Sequence, residues 1–123
     1  MDLPADRKYT ATHEWYKADG NIVTVGITQF AADELTDITY VELPEVGAAV
    51  KVGTVGEIES VKATADLNCA ISGKVVEVNT ALSDRPELLN EDAFGEGWIL
   101  KIEAADTSLL SGLMDAATYQ KKI

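Results

Sequence analysis

Few residues in this sequence are equipped for chemistry. There is one histidine, His13, and one cysteine, Cys69, 56 positions apart, and nothing beside either would orient a nucleophile–base pair. Cys69 sits in an apolar stretch and reads as a small buried hydrophobe. His13, next to Glu14 and Trp15, reads as a packed or hydrogen-bonded strand residue. His13-Glu14 would open a zinc-protease helix motif, but Lys17 stands where the second histidine belongs. One cysteine allows neither an internal disulfide nor a Cys cluster for zinc or iron–sulfur, so no metal site is expected. The acidic pairs Glu57/Glu59 and Glu91/Asp92 read as solvated faces in so acidic a chain. Gly53-Thr54-Val55-Gly56 has neither the Walker lysine nor the dinucleotide spacing. No catalytic residue is therefore assigned.

Chemistry of another kind is open to Glu59-Ser60-Val61-Lys62-Ala63. Lys62 lies between two compact neighbours, where one β-like run ends and the next begins, which places it on an exposed hairpin turn. An ε-amine there is accessible to an enzyme that acylates it, and acylation would mount a long flexible arm on a rigid base. Composition alone leaves it an ordinary solvated lysine.

The rest of the chain must position that turn. At 123 residues and 13.2 kDa, with 46% hydrophobic and 25% charged residues, one folded domain over 1–123 is expected, with 1–8 as a loose N-terminal segment. Asp19-Gly20 turns the segment around Tyr9 to Tyr16 into the β-rich run 22–27. Thr28 can cap a short helix through Leu35, since Ala31, Ala32 and Leu35 share a face. A strand follows over 38–43, ended by Pro44. Gly47, Gly53 and Gly56 break 49–61 into short strands with tight bends. Strand-like pieces at 67–71 and 74–79 are divided by Ser72-Gly73. Residues 84–90 form one or two helical turns with Pro86 in a first turn. Trp98, Leu100 and Ile102 alternate with Lys101 and Glu103 as in a half-buried strand. Leu109, Leu110, Leu113, Met114 and Ala117 share the face of a C-terminal helix capped by Asp106 or Thr107. The expected fold is mainly β: several short antiparallel strands in a sandwich or flattened barrel, with small flanking helices.

Charge narrows the partners. Asp and Glu number 21 against 10 Lys and Arg, a net −11 spread over both halves of the chain. That argues against binding nucleic-acid phosphates and against docking on an anionic membrane. No apolar run approaches a membrane span, and the N-terminus has no signal-like apolar region. The chain is expected to work where it is made, in a bacterial cytoplasm, or in a mitochondrial matrix if a targeting segment has been removed.

From Tyr9 to Tyr119 the sequence resembles the glycine cleavage system H protein family. The matching residues are Tyr9-Thr10, His13-Glu14-Trp15, Val25-Gly26-Ile27-Thr28 with Ala31 and Leu35, and Tyr40-Val41-Glu42-Leu43-Pro44-Glu45-Val46-Gly47. They continue with Glu59-Ser60-Val61-Lys62-Ala63, Ile71-Ser72-Gly73-Lys74-Val75-Val76-Glu77-Val78-Asn79, Pro86-Glu87-Leu88-Leu89-Asn90 and Gly95-Glu96-Gly97-Trp98. Gly-x-Gly-Trp is weak alone; the Glu-Ser-Val-Lys-Ala motif is strong.

The resemblance implies a carrier and not an enzyme: a lipoyl-carrier domain, a barrel-sandwich hybrid of short antiparallel strands, with lipoate in amide linkage on Lys62, and Glu59, Ser60, Val61 and Ala63 as the modification motif. It implies that the arm takes an aminomethyl group from glycine decarboxylase (P protein) and presents it to the tetrahydrofolate-dependent aminomethyltransferase (T protein). Dihydrolipoamide dehydrogenase (L protein) then reoxidises the arm, and lipoyl-attaching enzymes load it. The chain is expected to be a monomer in these encounters. Glu14, Glu59 and Asp66 are expected to orient or shelter the loaded arm, whose amine is cationic. Three residues depart from the family pattern: Gln29 replaces an acid, Thr36 a glycine before Asp37, and Ala70 a proline before the Ile-Ser-Gly turn. They bear on a helix start, on strain if Thr36 takes positive φ, and on one strand entry. A biotin carrier would place its lysine in Met-Lys-Met, and a 2-oxoacid dehydrogenase lipoyl domain would show Asp-Lys-Ala and a linker. The alternative kept open is an H-like paralogue that serves as lipoyl donor or regulatory binding module.

Overall fold

The computed structural model describes residues 3–123, the side chain of Leu109 apart. The strands are β1 (Lys8–Tyr9), β2 (Glu14–Asp19), β3 (Ile22–Ile27), β4 (Ile38–Val41), β5 (Ala49–Val50), β6 (Gly53–Ser60), β7 (Thr64–Cys69), β8 (Gly73–Val78) and β9 (Leu100–Ala104). The helices are α1 (Gln29–Leu35), α2 (Ala81–Asp84), α3 (Leu88–Glu91) and α4 (Ala116–Lys122), with a 3₁₀ turn at Thr107–Gly112. A six-stranded sheet in the order β1-β2-β3-β9-β8-β5 packs on a three-stranded sheet β4-β6-β7, all pairs antiparallel. The sheets do not close into a barrel.

Period-two alternation decides what lies between the sheets. Tyr16, Val23, Val25, Val75, Leu100 and Ile102 point inward from the larger sheet and meet Val41, Ile58, Leu67 and Cys69 of the smaller. The outer face of the larger sheet carries a second, aromatic cluster of Tyr9, Trp15 and Tyr119, with Phe94, Trp98 and Met114 against it. Gly26 on β3 makes room for it: a Cβ there would lie 2.6 Å from the Trp15 ring, whose Nε1 donates to Ala93 O at 3.0 Å. At the β2–β3 turn Gly20 takes φ 63, the left-handed conformation that glycine adopts without a steric cost.

The structure redraws several expected boundaries. Residues 53–60 form one strand, in which Gly56 marks a bulge and lets β6 lie against the Glu42 carbonyl. β7 starts at Thr64, ahead of the apolar run, because the exposed row of this edge strand is polar: Thr64 and Asp66. Around Pro86 there are two short helices. Arg85, restricted by the proline that follows, leaves the helical region (φ −133, ψ 68) and ends α2, and α3 begins only after Glu87. β9 starts at Leu100, so the buried row is Leu100, Ile102 and Ala104.

A C-terminal helix is present as α4, but it starts only at Ala116, later than expected, and the segment before it is broken. Asp106 caps the 3₁₀ turn, Leu113 is extended, and Met114 exchanges two backbone hydrogen bonds with Tyr9 (2.8 and 2.9 Å) before α4 starts behind its cap Asp115. Pairing with β1 wins over helical continuation at Leu113 and Met114. The Leu109 side chain, expected on that helical face, lies outside the described residues, as do Met1 and Asp2 of the N-terminal segment.

Thr28 caps α1, its hydroxyl accepting from Ala31 N at 3.3 Å. α1 ends at Thr36 with φ 63 and ψ −145, a conformation that strains a β-branched residue by roughly 1–3 kcal/mol. Asn90 holds it there: Nδ2 donates to Thr36 O (2.6 Å) and Ala32 O (3.2 Å), and Oδ1 accepts from Ile38 N (3.0 Å). Gln29, lacking the acid's charge, instead links α1 to α3 by donating to Asn90 O at 2.8 Å. Thr36→Gly should raise stability by about 1 kcal/mol, relief of strain exceeding the entropy of an unfolded glycine; an unchanged urea midpoint would show that Thr36 is unstrained.

Candidate functional site

Lys62 stands at the tip of the β6–β7 hairpin, exposed together with Val61 and Ala63. Ser60 builds the turn. Its backbone N–H donates to Ala63 O at 2.8 Å, and its hydroxyl accepts from the N–H groups of Ala63 (3.1 Å) and Lys62 (3.3 Å). Val61 N–H donates to Asp37 O at 3.0 Å, which anchors the tip to the segment between α1 and β4. The strained Thr36 immediately precedes that anchor. The lysine backbone is thus fixed, while no ion pair engages Nζ among the described residues.

Glu59, opposite Tyr40 in the β4–β6 register, is exposed, and Tyr40 is exposed beside it. Asp66 is exposed on β7, cross-strand from Glu57, so the hairpin is flanked by carboxylates.

Glu14 is different in kind. It is 2% exposed, at the start of β2 where that strand meets β7 near the Asn68 backbone. The Thr10 and Thr12 hydroxyls donate to its Oε1 at 2.7 and 2.6 Å. Burial pushes its carboxyl up to about 7, against those hydrogen bonds, which favour the ionised form. Asn68 is six residues along the chain from Lys62, roughly 20 Å of extended strand. Along the hairpin Glu59 and Asp66 stand three and four residues from Lys62, whereas Glu14 lies on β2, against the far part of β7. Thr10, Thr12, Tyr40 and the Asp37 carbonyl were not singled out from sequence. Two hydroxyls at alternate positions ahead of Glu14 were the signal available for the first two.

The remaining reactive side chains are structural. His13, at φ 72, shares a 2.7 Å hydrogen bond between Nδ1 and Tyr119 Oη, packs on Phe30, and is held below its usual pKa by burial. Thr28 Oγ1 meets the same Tyr119 hydroxyl at 2.8 Å, so this network ties α4 to the start of α1. Burial pushes the Cys69 thiol up, away from nucleophilic reactivity. Ala70, where a proline was expected, donates its N–H to Tyr16 Oη at 2.9 Å, a bond that proline cannot make. Among the described residues no cluster of His, Cys, Asp or Glu has the makings of a metal site, and no helix is long and apolar enough to cross a membrane.

The site is thus one lysine displayed on a clamped hairpin turn at the end of two packed antiparallel sheets, the arrangement of a protein that presents an attached group. Residues 7–123 match the family model described as glycine cleavage H-protein. A glycine cleavage system H protein of Symbiobacterium thermophilum is 55% identical over 119 residues, 96% of this chain and 93% of that one. One of Thermus thermophilus is 50% identical over 122 residues, 98% and 95% of the two chains. The crystal structure of a glycine cleavage system H protein from Mycobacterium marinum superposes with a TM-score of 0.89 at 40% identity, covering 98% of each chain. The chain belongs to the glycine cleavage H-protein family, lipoyl carriers and not catalysts.

Proposed function

We propose that Lys62 carries lipoate in amide linkage and that residues 1–123 work as one shuttle domain among glycine decarboxylase, the aminomethyltransferase and dihydrolipoamide dehydrogenase. The observation that carries this reading is the hairpin tip, where Ser60 and Asp37 immobilise the backbone under an exposed lysine. The residues fit the group: Val61, Lys62 and Ala63 are all exposed at the tip, and the compact Val61 and Ala63 leave the amine open to an attaching enzyme. In attachment, Nζ would attack the activated carboxyl of the donor. The amide bond forms as the bond to the activating group breaks, the amine gives up its proton, and the formal charge falls from −11 to −12. When bound, lipoate supplies a dithiolane that takes up the aminomethyl group with two electrons and yields both in turn.

This chain's residues do the presenting. The clamped turn gives the arm a fixed pivot, which raises its effective concentration at any site it reaches. The carboxylates Glu57, Glu59 and Asp66 favour brief encounters with basic active-site entrances, speeding association more than they strengthen it. Glu14, with Asp66 on the way to it along β7, offers negative charge to shelter the cationic amine of a loaded arm. The bacterial relatives favour the bacterial cytoplasm as its place of work.

Intact-mass measurement after incubation with lipoylating enzymes should show one lipoyl addition on the wild type and none on Lys62→Arg. An unmodified wild type, or a modified variant, overturns the assignment of Lys62.

A further inference from the structure

On a chain of net charge −11, three of the ten cations gather in one recess on the side of the larger sheet turned away from the lysine hairpin. Lys17 on β2 and Lys101 on β9 each face Thr24 of β3 in register, so they form a row across the strands. Their neighbours Tyr16, Val23, Val25, Leu100 and Ile102 point the other way, into the core against the hairpin sheet. Arg7 completes the group. Its guanidinium lies 4.5 Å from the Trp15 ring centroid, and Nη1 donates to Phe94 O at 2.6 Å, so the side chain is only 12% exposed and already ordered. Lys101 Nζ sits 5.1 Å from the Trp98 ring.

Two carboxylates partly offset the three cations. Asp6 accepts from Arg7 Nε at 3.1 Å and reaches Lys17 at 3.5 Å, Glu77 reaches Lys101 at 3.7 Å, and both carboxylates are more than half exposed. Solvent-screened pairs of this kind are worth at most about 1 kcal/mol and give way to a competing carboxylate. Arg and Trp are also the residues that dominate binding hot spots, because they are large and lose little freedom when already packed. At about 200 Å³ the recess is smaller than the roughly 300–1,000 Å³ of small-molecule pockets, and its size suits one or two side chains. The protein's overall charge opposes a nucleic-acid polyanion.

We propose that the Arg7–Lys17–Lys101 recess, floored by Trp15 and Trp98, is a docking point for an acidic peptide segment of a partner protein. A segment held there leaves the Lys62 hairpin uncovered, because residues 60–63 form the turn between β6 and β7 of the other sheet. The chain would then present carboxylates around the lysine and, on the other side of the larger sheet, a recess in which three cations outnumber two carboxylates. This does not depend on modification of Lys62.

The test is an NMR titration of the full ¹⁵N-labelled chain with the blocked peptide Glu-Phe-Glu-Glu-Phe-Glu, its Gln-for-Glu analogue, and inorganic phosphate. The acidic peptide should shift the Trp15 and Trp98 indole N–H signals and the Lys17 and Lys101 amides saturably, with affinity falling as salt rises. Lys17→Glu combined with Lys101→Glu should weaken it by about tenfold or more, and Lys101→Gln alone by a smaller factor. Both lysines are at least one-third exposed, and circular dichroism checks that the variants fold. Equal shifts from the Gln peptide, the same shifts from phosphate at the same concentration, unaltered binding by both variants, or shifts confined to other residues would each overturn the proposal.

Discussion

Glu14→Gln is expected to make the protein more stable at pH 8 and a poorer guardian of its arm. The folded-state pKa of Glu14, about 7, stands above the unfolded value near 4.5, because burial penalises the charged form. A carboxyl raised in this way favours the folded state fully below the unfolded pKa, and that contribution disappears as pH climbs from about 4.5 through 7. The shift corresponds to about 3 kcal/mol at pH 8. The wild type should therefore lose stability relative to Glu14→Gln by about 2–3 kcal/mol between pH 5 and pH 8. The Gln carbonyl can still accept from Thr10 and Thr12, and the Tyr16 phenol and the Cys69 thiol, which feel the Glu14 charge, are both pushed up by burial and stay neutral across that window. Urea unfolding at the two pH values measures the difference; parallel stability curves would mean that Glu14 titrates normally. The same variant, loaded, should release its aminomethyl group to water faster than the wild type at pH 8, where Glu14 is ionised. An unchanged hydrolysis rate removes Glu14 from the sheltering role.

Gly73→Ala should cost about 3 kcal/mol, a large share of the roughly 5–15 kcal/mol that holds a domain of this size together. The glycine does not take positive φ; it is required for space. It pairs with Ala104 at the end of β9, and an added Cβ would meet the Glu103 carbonyl, Ile102 Cγ2 at 2.7 Å and Ala104 Cα at 3.0 Å. Two of those three atoms are backbone in a strand hydrogen-bonded on both sides, to β3 and to β8, so the neighbours cannot give way by turning a rotamer. Gly112→Ala is the matched control: a Cβ there meets nothing within 4 Å, and stability should change by less than about 0.5 kcal/mol. A loss below about 1 kcal/mol at Gly73 would show that β8 and β9 can part without penalty.

How far the sequence could be read follows from the range of the forces involved. Turn chemistry and capping are local, so Asp19-Gly20, the Thr28 cap and the exposed lysine turn were legible from adjacent residues. The strand 64–69 was only half legible because its exposed row is polar, and the ladder that makes it a strand comes from β6. The C-terminal segment was misread for the same reason. Its apolar spacing suits a helix, yet Met114 gains more by pairing with Tyr9, more than a hundred residues earlier.

The sequence by itself determined that this protein has almost no reactive side chains of its own and that Lys62 stands on an exposed turn; only the family resemblance made that turn a modification motif. It determined this because residue type and near-neighbour spacing set both properties. Tertiary structure alone decided that Asp37 anchors the lysine's turn, and that Thr10 and Thr12 converge on one oxygen of a buried Glu14. It also gathered Arg7, Lys17 and Lys101 on the opposite face. Each of those juxtapositions depends on strand order, register or desolvation, quantities that exist only once distant segments have packed.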